Sequence, residues 1–423
     1  MITIRAALAV ALLGGYWYGR YLTGCALVVL SGWLWITNPG MSAALLSAVA
    51  VPLVVLSARA SRVVRGSAVD EPSGTVIPQR ADSMLWTEVR SLCERLDVRV
   101  PDEVRLGGEP MVVAWQRASR LGLTAGFRGL YVGLPALVGL SPAQLRALLT
   151  HELAHDAHQA GRLVAVCHRA RATLGPMLAV RPRTTGVVFA VWARLFLALE
   201  APVSRHQELL ADRAAVAVTS RASTAGALRE LPVLGVAWRR YVTEVIAPAA
   251  RSGYAPLSLT DGFVQVRAAW SEELEQLRTV PQEEARPGWD VHPARLERLH
   301  AIDLAPESPG GAELVELRPK RSAVVREVEG DVIGGGEVRR LPWDEFCATI
   351  ASEPLRAEVA ELYAAAGEVA STGPGGVIEH GKAGLDTVLG LIERGALPEL
   401  EQRLQPPVRG LLAVAFALAA VDG

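Results

Sequence analysis

The chain of 423 residues is long enough for two or three domains. Its 43 Lys and Arg residues balance 44 Asp and Glu residues, and this net charge of −1 argues against nucleic acid as a partner. Half of the residues are hydrophobic and the mean hydropathy is +0.25, at the upper end for a soluble protein. The four cysteines form no Cys-x-x-Cys pair, which argues against a disulfide framework or a thiolate metal site.

The first 66 residues predict a membrane anchor. Residues 21–37 and 41–58 are two apolar runs on either side of a short turn, and residues 6–19 are also apolar. We expect a transmembrane hairpin with spans over about residues 7–37 and 41–58, since each run reaches the lower length limit for a spanning helix. A cleaved signal peptide is the alternative, but no convincing small-x-small cleavage site follows the first run.

Arginines predict the orientation of this anchor. Arg59, Arg62 and Arg65 follow the second run directly, whereas the turn between the runs has no charge. The positive-inside rule then places everything after residue 66 in the cytoplasm. If residues 6–19 formed a separate span, only the N-terminus would change sides. The sequence thus predicts a multi-pass plasma-membrane protein whose chain after residue 66, including any catalytic residues, is cytoplasmic, with the lipid bilayer as a partner.

A small sheet is expected after the anchor. An amphipathic helix over residues 83–96 precedes three strand-like segments at residues 104–115, 121–124 and 130–134, the last two joined by a hairpin turn. The exposed edge of such a sheet can hold a peptide by backbone hydrogen bonds. Packing of the hairpin behind the next helix is the alternative.

The string His-Glu-Leu-Ala-His at residues 151–155 follows this sheet. Residues 141–144 read Ser-Pro-Ala-Gln, a capped helix start, so the string is expected on a helix. His151 and His155 are then one turn apart on one face, where both imidazoles reach one metal ion, and Glu152 is placed to act on a metal-bound water. The alternative is a core helix whose histidines make local hydrogen bonds.

A catalytic zinc ion usually has three protein ligands, and the chain offers a candidate for the third. Glu208 and Asp212 are four residues apart, so they share one face of a predicted helix. Glu208 would complete a His-His-Glu set, and Asp212 would accept the second ring N–H of a zinc-bound histidine. An exposed charged helix face is the alternative, and His206 is a rival ligand.

Two apolar stretches of 14 residues are shorter than a membrane-spanning helix usually is. Residues 186–199 are expected to form a core or interfacial helix, and residues 408–421 a buried closing helix. Helical patterns also cover residues 343–370 and 383–404, and this C-terminal region carries no recognisable chemistry. It is expected to be a helical packing or partner-docking domain.

Taken together, these motifs resemble those of the M48 (HtpX/Ste24-like) membrane metallopeptidases. The resembling elements are His-Glu-x-x-His, then Ser204-Arg205-x-x-Glu208-x-x-Ala211-Asp212, then His292-Pro293-x-x-x-x-Arg298. The resemblance covers about residues 1–302. Two departures are the Ala154 that replaces a common Gly, and the arginines in residues 163–199, which do not suit a further pair of spans.

The resemblance implies a zincin-like catalytic domain, one Zn²⁺ ion, and endopeptidase activity on a protein or peptide substrate. It implies that His151, His155 and Glu208 bind the metal and that Asp212 supports them. Glu152, His292 and Arg298 would be catalytic: Glu152 as general base towards zinc-activated water, the other two beside the zinc, where they contact the substrate or stabilise the oxyanion. The family role in membrane-protein quality control is expected too.

The expected fold is α+β and mostly helical. We expect the anchor over residues 1–66, the metallopeptidase domain over residues 67–302 and a helical domain over residues 303–423. Two other functions stay open at this point. One is a membrane-anchored zinc-binding scaffold or sensor without peptidase activity, against which the intact Glu152 argues; the other is a non-peptidase hydrolase with the same metal site.

Overall fold

The computed structural model describes residues 2–66, 71–79, 84–117, 123, 126–155, 161–180, 187–279, 293–306, 322–372, 384–404, 408 and 411–416. They belong to two compact units, Met1–Val242 with Phe263–Gly335 and Thr243–Gly262 with Gly336–Gly423. The fold is α+β and mostly helical with a small mixed sheet, which confirms the predicted class. The predicted domain boundaries at residues 66 and 302 stay a prediction.

The helices are α1 (Ile2–Thr37), α2 (Met41–Gly66), α3 (Met84–Leu96), α4 (Leu134–Gly139), α5 (Pro142–Ala154), α6 (Arg162–Val180), α7 (Val187–Val218), α8 (Arg221–Arg240), α9 (Ala247–Arg251), α10 (Leu259–Ala269), α11 (Ser271–Thr279), α12 (Arg295–Leu304), α13 (Ala323–Ile333), α14 (Trp343–Thr372), α15 (Leu385–Glu393) and α16 (Leu397–Glu401). The strands are β1 (Thr75–Ile77), β2 (Glu103–Gly107), β3 (Val112–Gln116), β4 (Arg128–Gly133), β5 (Tyr254–Pro256) and β6 (Arg339–Leu341).

The N-terminal helices α1 and α2 form a helical hairpin. The Ser47 hydroxyl joins them, since it lies 2.6 Å from the Ser31 hydroxyl and accepts a hydrogen bond from the Trp35 indole N–H at 3.0 Å. Within the described residues, α1 is the helix that is long and apolar enough to cross a membrane, and α2 has a shorter apolar part, Met41–Pro52. At about 1.5 Å per residue, α1 is on the order of 54 Å long, well beyond a hydrocarbon core.

The first half of α1 packs inside the unit that carries the His-Glu-x-x-His string. Its buried side chains (Ala6, Ala9, Leu13 and Trp17) form one apolar cluster with residues of α6 and α7. Trp192 of α7 donates an indole hydrogen bond to the Leu12 carbonyl at 3.3 Å and stacks on Tyr16 with ring centroids 4.1 Å apart. This helix is therefore both the candidate span and a structural part of that unit.

The main sheet has the strand order β1-β2-β4-β3. Strands β2 and β4 are parallel, with Glu103 opposite Gly129, and β3 pairs antiparallel with β4, with Val113 opposite Tyr131. The prediction of one strand over residues 104–115 is wrong, because Gly-Glu-Pro at 108–110 separates β2 from β3 and proline lacks the N–H that a strand needs. The predicted strand at residues 121–124 lies almost wholly outside the described residues.

Helix α5 begins where the sequence predicts. Ser141 accepts a hydrogen bond from the Gln144 backbone N–H at 3.3 Å, and the Gln144 side chain accepts one from the Ser141 N–H at 2.9 Å, which completes a capping box. Arg146 of α5 pairs with Glu88 of α3 at 2.9 Å, and both side chains are buried. This ion pair holds the helix that carries His151 against α3.

The apolar stretch at 186–199 is expected to form a separate helix, but its described part, residues 187–199, is continuous with the helix that carries Glu208. Both belong to α7, which runs from Val187 to Val218 with Pro202 inside it. The apolar stretch therefore positions Glu208 directly, because the two are parts of one rigid element.

The second unit is built around α14, α15 and α16. Their buried apolar side chains, with Val408, Leu411 and Ala415, form one core. The helical patterns at residues 343–370 and 383–404 are confirmed, with a break at Gly395, whose φ of 77° suits glycine. Strands β5 and β6 add a parallel pair to this unit.

We expect Glu88→Leu to lower the free energy of unfolding by about 3–5 kcal/mol, because it leaves the Arg146 guanidinium buried without its carboxylate. Thermal and denaturant unfolding of the purified protein measure the change. The exposed Glu94 of the same helix supplies the control, and Glu94→Leu should change stability by less than about 0.5 kcal/mol. Equal effects of the two substitutions would contradict a structural role for the ion pair.

Candidate metal centre

Two imidazoles of the His-Glu-x-x-His string lie side by side at the end of α5. His151 is in the last turn of the helix and His155 follows its last residue, and both side chains are buried. Their ring centroids are 4.9 Å apart and the rings are nearly perpendicular, at 89°. The predicted helical spacing thus brings both rings to one face, as binding of one metal ion by both imidazoles requires.

Glu208 of α7 reaches both rings. Its two carboxylate oxygens lie 3.5 Å from Nε2 of His151 and 3.6 Å from Nε2 of His155. One ligand atom from each of the three residues lies within 4.8 Å of the others. Tetrahedral zinc with bonds of about 2.0–2.1 Å needs ligand atoms about 3.3–3.4 Å apart, and the two separations between Glu208 and the histidine nitrogens are close to this value. The rival ligand His206 is exposed and lies outside this group.

Asp212, one turn further along α7, contacts the other nitrogen of His151. The Oδ1 atom of Asp212 is 3.0 Å from Nδ1 of His151, and the carboxylate is buried. This contact favours the tautomer with hydrogen on Nδ1 and leaves Nε2 facing Glu208. A carboxylate in this position also raises the basicity of the ring.

The protonation of His151 reflects these carboxylates. Burial alone lowers its pKa, but the hydrogen bonds to Asp212 and then Glu208 outweigh burial and raise the pKa to about 9. For Asp212, burial raises the pKa, but hydrogen bonds from Arg298 and His151 lower it overall. The raised pKa of His151 thus reflects the two carboxylates that face its ring, and such a negative environment favours a divalent cation.

Arg298 of α12 completes this arrangement. Its Nε and Nη2 atoms donate to the two Asp212 oxygens at 2.9 and 2.7 Å, a bidentate pair. Its Nη2 atom is also 3.4 Å from both nitrogens of the His151 ring, and its Nη1 atom is 3.6 Å from Glu208. The guanidinium thus touches a predicted ligand and the residue predicted to support it.

Helix α12 is itself fastened to α7 and α8. Ile302 and Ala305 are buried against Val216 and Ala225, and the Arg221 side chain donates to the Ala305 carbonyl at 2.7 Å. These contacts place the first turns of α12, and with them Arg298, over the end of α5.

The carboxylate of Glu152 lies against the edge of the sheet. The Ala114 backbone N–H of β3 donates to Glu152 Oε2 at 3.0 Å. Burial raises the pKa of Glu152, while the charge of His151 and the hydrogen bond from Ala114 act in the opposite direction without cancelling it. A raised pKa brings a carboxylate closer to the range in which it exchanges protons near neutral pH.

One further histidine lies at the site, and the sequence does not single it out. His168 of α6 stacks on His155 with ring centroids 5.0 Å apart and an angle of 12° between the planes. It is thirteen residues beyond His155, so no helical or motif spacing connects the two. Of the predicted site residues, His292 lies outside the described residues.

A model of Peptidase family M48 matches residues 119–305, the part of the chain that contains this site. No curated protein and no solved structure matches the chain. Members of the matched family are zinc-dependent metallopeptidases, and the buried His151, His155 and Glu208 are compatible with that chemistry. The segment of residues 119–305 thus matches peptidase family M48, and this match supports a metallopeptidase function.

Proposed function

We propose that this protein is a membrane-bound zinc endopeptidase in which His151, His155 and Glu208 hold one Zn²⁺ ion. The observation that carries the proposal is the convergence of three buried donor groups, His151, His155 and Glu208, whose ligand atoms lie within 4.8 Å of one another. Zinc with three protein ligands supplies Lewis acidity and brings the pKa of water towards about 7.

Glu152 is the general base of this proposal. Glu152 directly follows His151 in the sequence, burial raises the pKa of its carboxylate, and the Ala114 N–H donates a hydrogen bond to it. The carboxylate takes the proton of the attacking water and then passes it to the leaving amine as the peptide C–N bond breaks. A purely structural zinc site needs no such base, which argues against the scaffold or sensor.

The edge strand β3 favours a peptide substrate over a small molecule. The residues that flank β3 make backbone hydrogen bonds on the side of β4. The Met111 carbonyl accepts from the Gly133 N–H, and the Arg117 N–H donates to the carbonyl of Phe127, which directly precedes β4, each at 2.8 Å. The alternate residues therefore direct their backbone groups away from β4, as the Ala114 hydrogen bond to Glu152 illustrates. An extended peptide can pair with this edge and lie across the metal group.

The geometry favours a role for Arg298 in positioning Asp212 and His151 over a role in direct contact with the oxyanion. Its guanidinium is already engaged by both oxygens of Asp212, which in turn contacts His151. We propose His292 as the residue that contacts the substrate or the oxyanion.

Membrane attachment is the other part of the proposal. Large apolar side chains of the outer half of the hairpin, including Leu22, Val29 and Ile36, are exposed, as lipid-facing side chains would be. Arginines at the end of α2 favour a cytoplasmic active site. Because α1 also packs against α6 and α7, the active site would lie close to the bilayer, where membrane-protein substrates are within reach. This supports a role in membrane-protein quality control.

We expect Glu152→Gln to reduce cleavage of an unfolded protein such as casein by about 10²- to 10⁴-fold, because it removes the general base. The bound zinc, measured by metal analysis, should stay at one ion per chain because the ligands are intact. Cleavage that persists in this variant would contradict the mechanism. Zinc binding without cleavage of any peptide by the wild type would favour the scaffold or sensor.

We expect Glu208→Ala to lose zinc on dialysis, because two imidazoles alone do not retain the ion. His206→Ala, which alters an exposed residue of the same helix, is the matched control and should keep one zinc per chain. Metal analysis after dialysis measures both variants. The opposite result, with zinc lost only from the His206 variant, would mean that the donor set is wrong.

Asp212→Asn should weaken zinc binding about 10- to 100-fold, because it removes the carboxylate that orients His151. Arg298→Gln should weaken it through the same contact, so the double variant should be no worse than the stronger single variant. Chelator competition measures the affinities. Additive losses of binding free energy would contradict the proposed coupling.

A further inference from the structure

We propose that His168 of α6 is a positioning residue that holds the ring of His155 in the plane from which it binds zinc. This inference rests on the proposed function, since it takes His155 to be a zinc ligand. We call His151, His155 and Glu208 the metal-ligand group. His168 lies on neither α5 nor α7, which supply this group, and its ring stacks on the ring of His155.

His155 lies at the end of its helix, directly after the last residue of α5. The His151 ring is oriented by the Asp212 carboxylate at Nδ1 and flanked by the Arg298 guanidinium. For His155, the rotation of the ring about its bond to Cβ decides whether Nε2 faces Glu208. The rings of His151 and His168 restrict this rotation.

Two neighbouring rings restrict the His155 ring. His151 meets it nearly at a right angle, with centroids 4.9 Å apart, and His168 lies almost parallel to it at 5.0 Å. These are favourable geometries for aromatic pairs. A turn of the His155 ring away from Glu208 would break the parallel contact.

Helix α6 is fixed firmly enough to hold His168 in place. The adjacent Cys167 is fully buried against α1, with its thiol 3.7 Å from the Ala6 carbonyl. One turn further on, Arg171 pairs at 2.8 Å with Glu200, a fully buried carboxylate of α7. The Ser204 hydroxyl donates to the same carboxylate.

The ion pair also relates His168 to Glu208. Because Glu200 and Glu208 are on the same helix, the contact that fixes α6 against α7 fixes the stacking ring relative to the third metal ligand. The positions of His168, His155 and Glu208 are thus fixed relative to one another.

The inference predicts which side chains can replace His168. The contact that matters is a flat ring face, so Phe should preserve it, whereas Leu and Ala should not. We expect His168→Leu and His168→Ala to bind zinc about tenfold more weakly than the wild type, the lower end of the effect of altering a residue that supports a ligand. His168→Phe should bind zinc nearly as tightly as the wild type.

Two measurements on the full-length protein in detergent test this. Zinc affinity is measured by competition with a chromophoric chelator, and the ligand geometry by the visible absorption of the cobalt-substituted protein. The Leu and Ala variants should show both weaker zinc binding and an altered cobalt spectrum, and the Phe variant neither. His300→Ala, which removes an exposed histidine of α12, is the control and should match the wild type.

The outcomes separate this inference from the proposed function. Wild-type affinity and an unchanged cobalt spectrum in the Leu and Ala variants would overturn the inference, as would a Phe variant as weak as they are. If one of the two aliphatic variants fails to fold without metal, the other provides the comparison. A wild-type protein that binds no zinc would instead overturn the proposed function.

Discussion

The carboxylate of Asp212 joins three helices that are distant in the sequence. It accepts a bidentate pair from Arg298 of α12 and lies 3.0 Å from the His151 ring of α5, while its own backbone belongs to α7. A buried carboxylate without partners would cost several kcal/mol, so these contacts are what allow Asp212 to stay charged inside the protein. The pKa of Asp212 is lowered despite burial for the same reason.

The same contacts decide the position of the metal-ligand group. Glu208 is one turn before Asp212 on the same face of α7, so the helix that brings Asp212 to His151 also brings Glu208 to both imidazoles. Any change that separates α5 from α7 therefore removes the third donor and the tautomer-directing carboxylate together. The Arg146–Glu88 pair separately holds α5 against α3.

The packing of α1 links the candidate membrane span to this site. The predicted absence of spans between His155 and Glu208 was based on arginines, and the structure shows how one of them is accommodated: Arg171 is paired with the buried Glu200 between α6 and α7. Those two helices bury the first half of α1. A chain without α1 would expose this cluster, so α1 is a structural part of the proposed catalytic unit as well as the candidate span.

Local spacing in the sequence determined the elements of the site. The four-residue spacings of His151 with His155 and of Glu208 with Asp212, and the capping box that starts α5, are properties of single helices, and the structure has them as predicted. The family resemblance also indicated Glu208 and Arg298. Only the tertiary structure decided that Arg298 donates hydrogen bonds to Asp212, that β3 is the edge strand beside Glu152, and that His168 stacks on His155. These contacts join residues of different elements, and helical periodicity carries no information about which elements pack together.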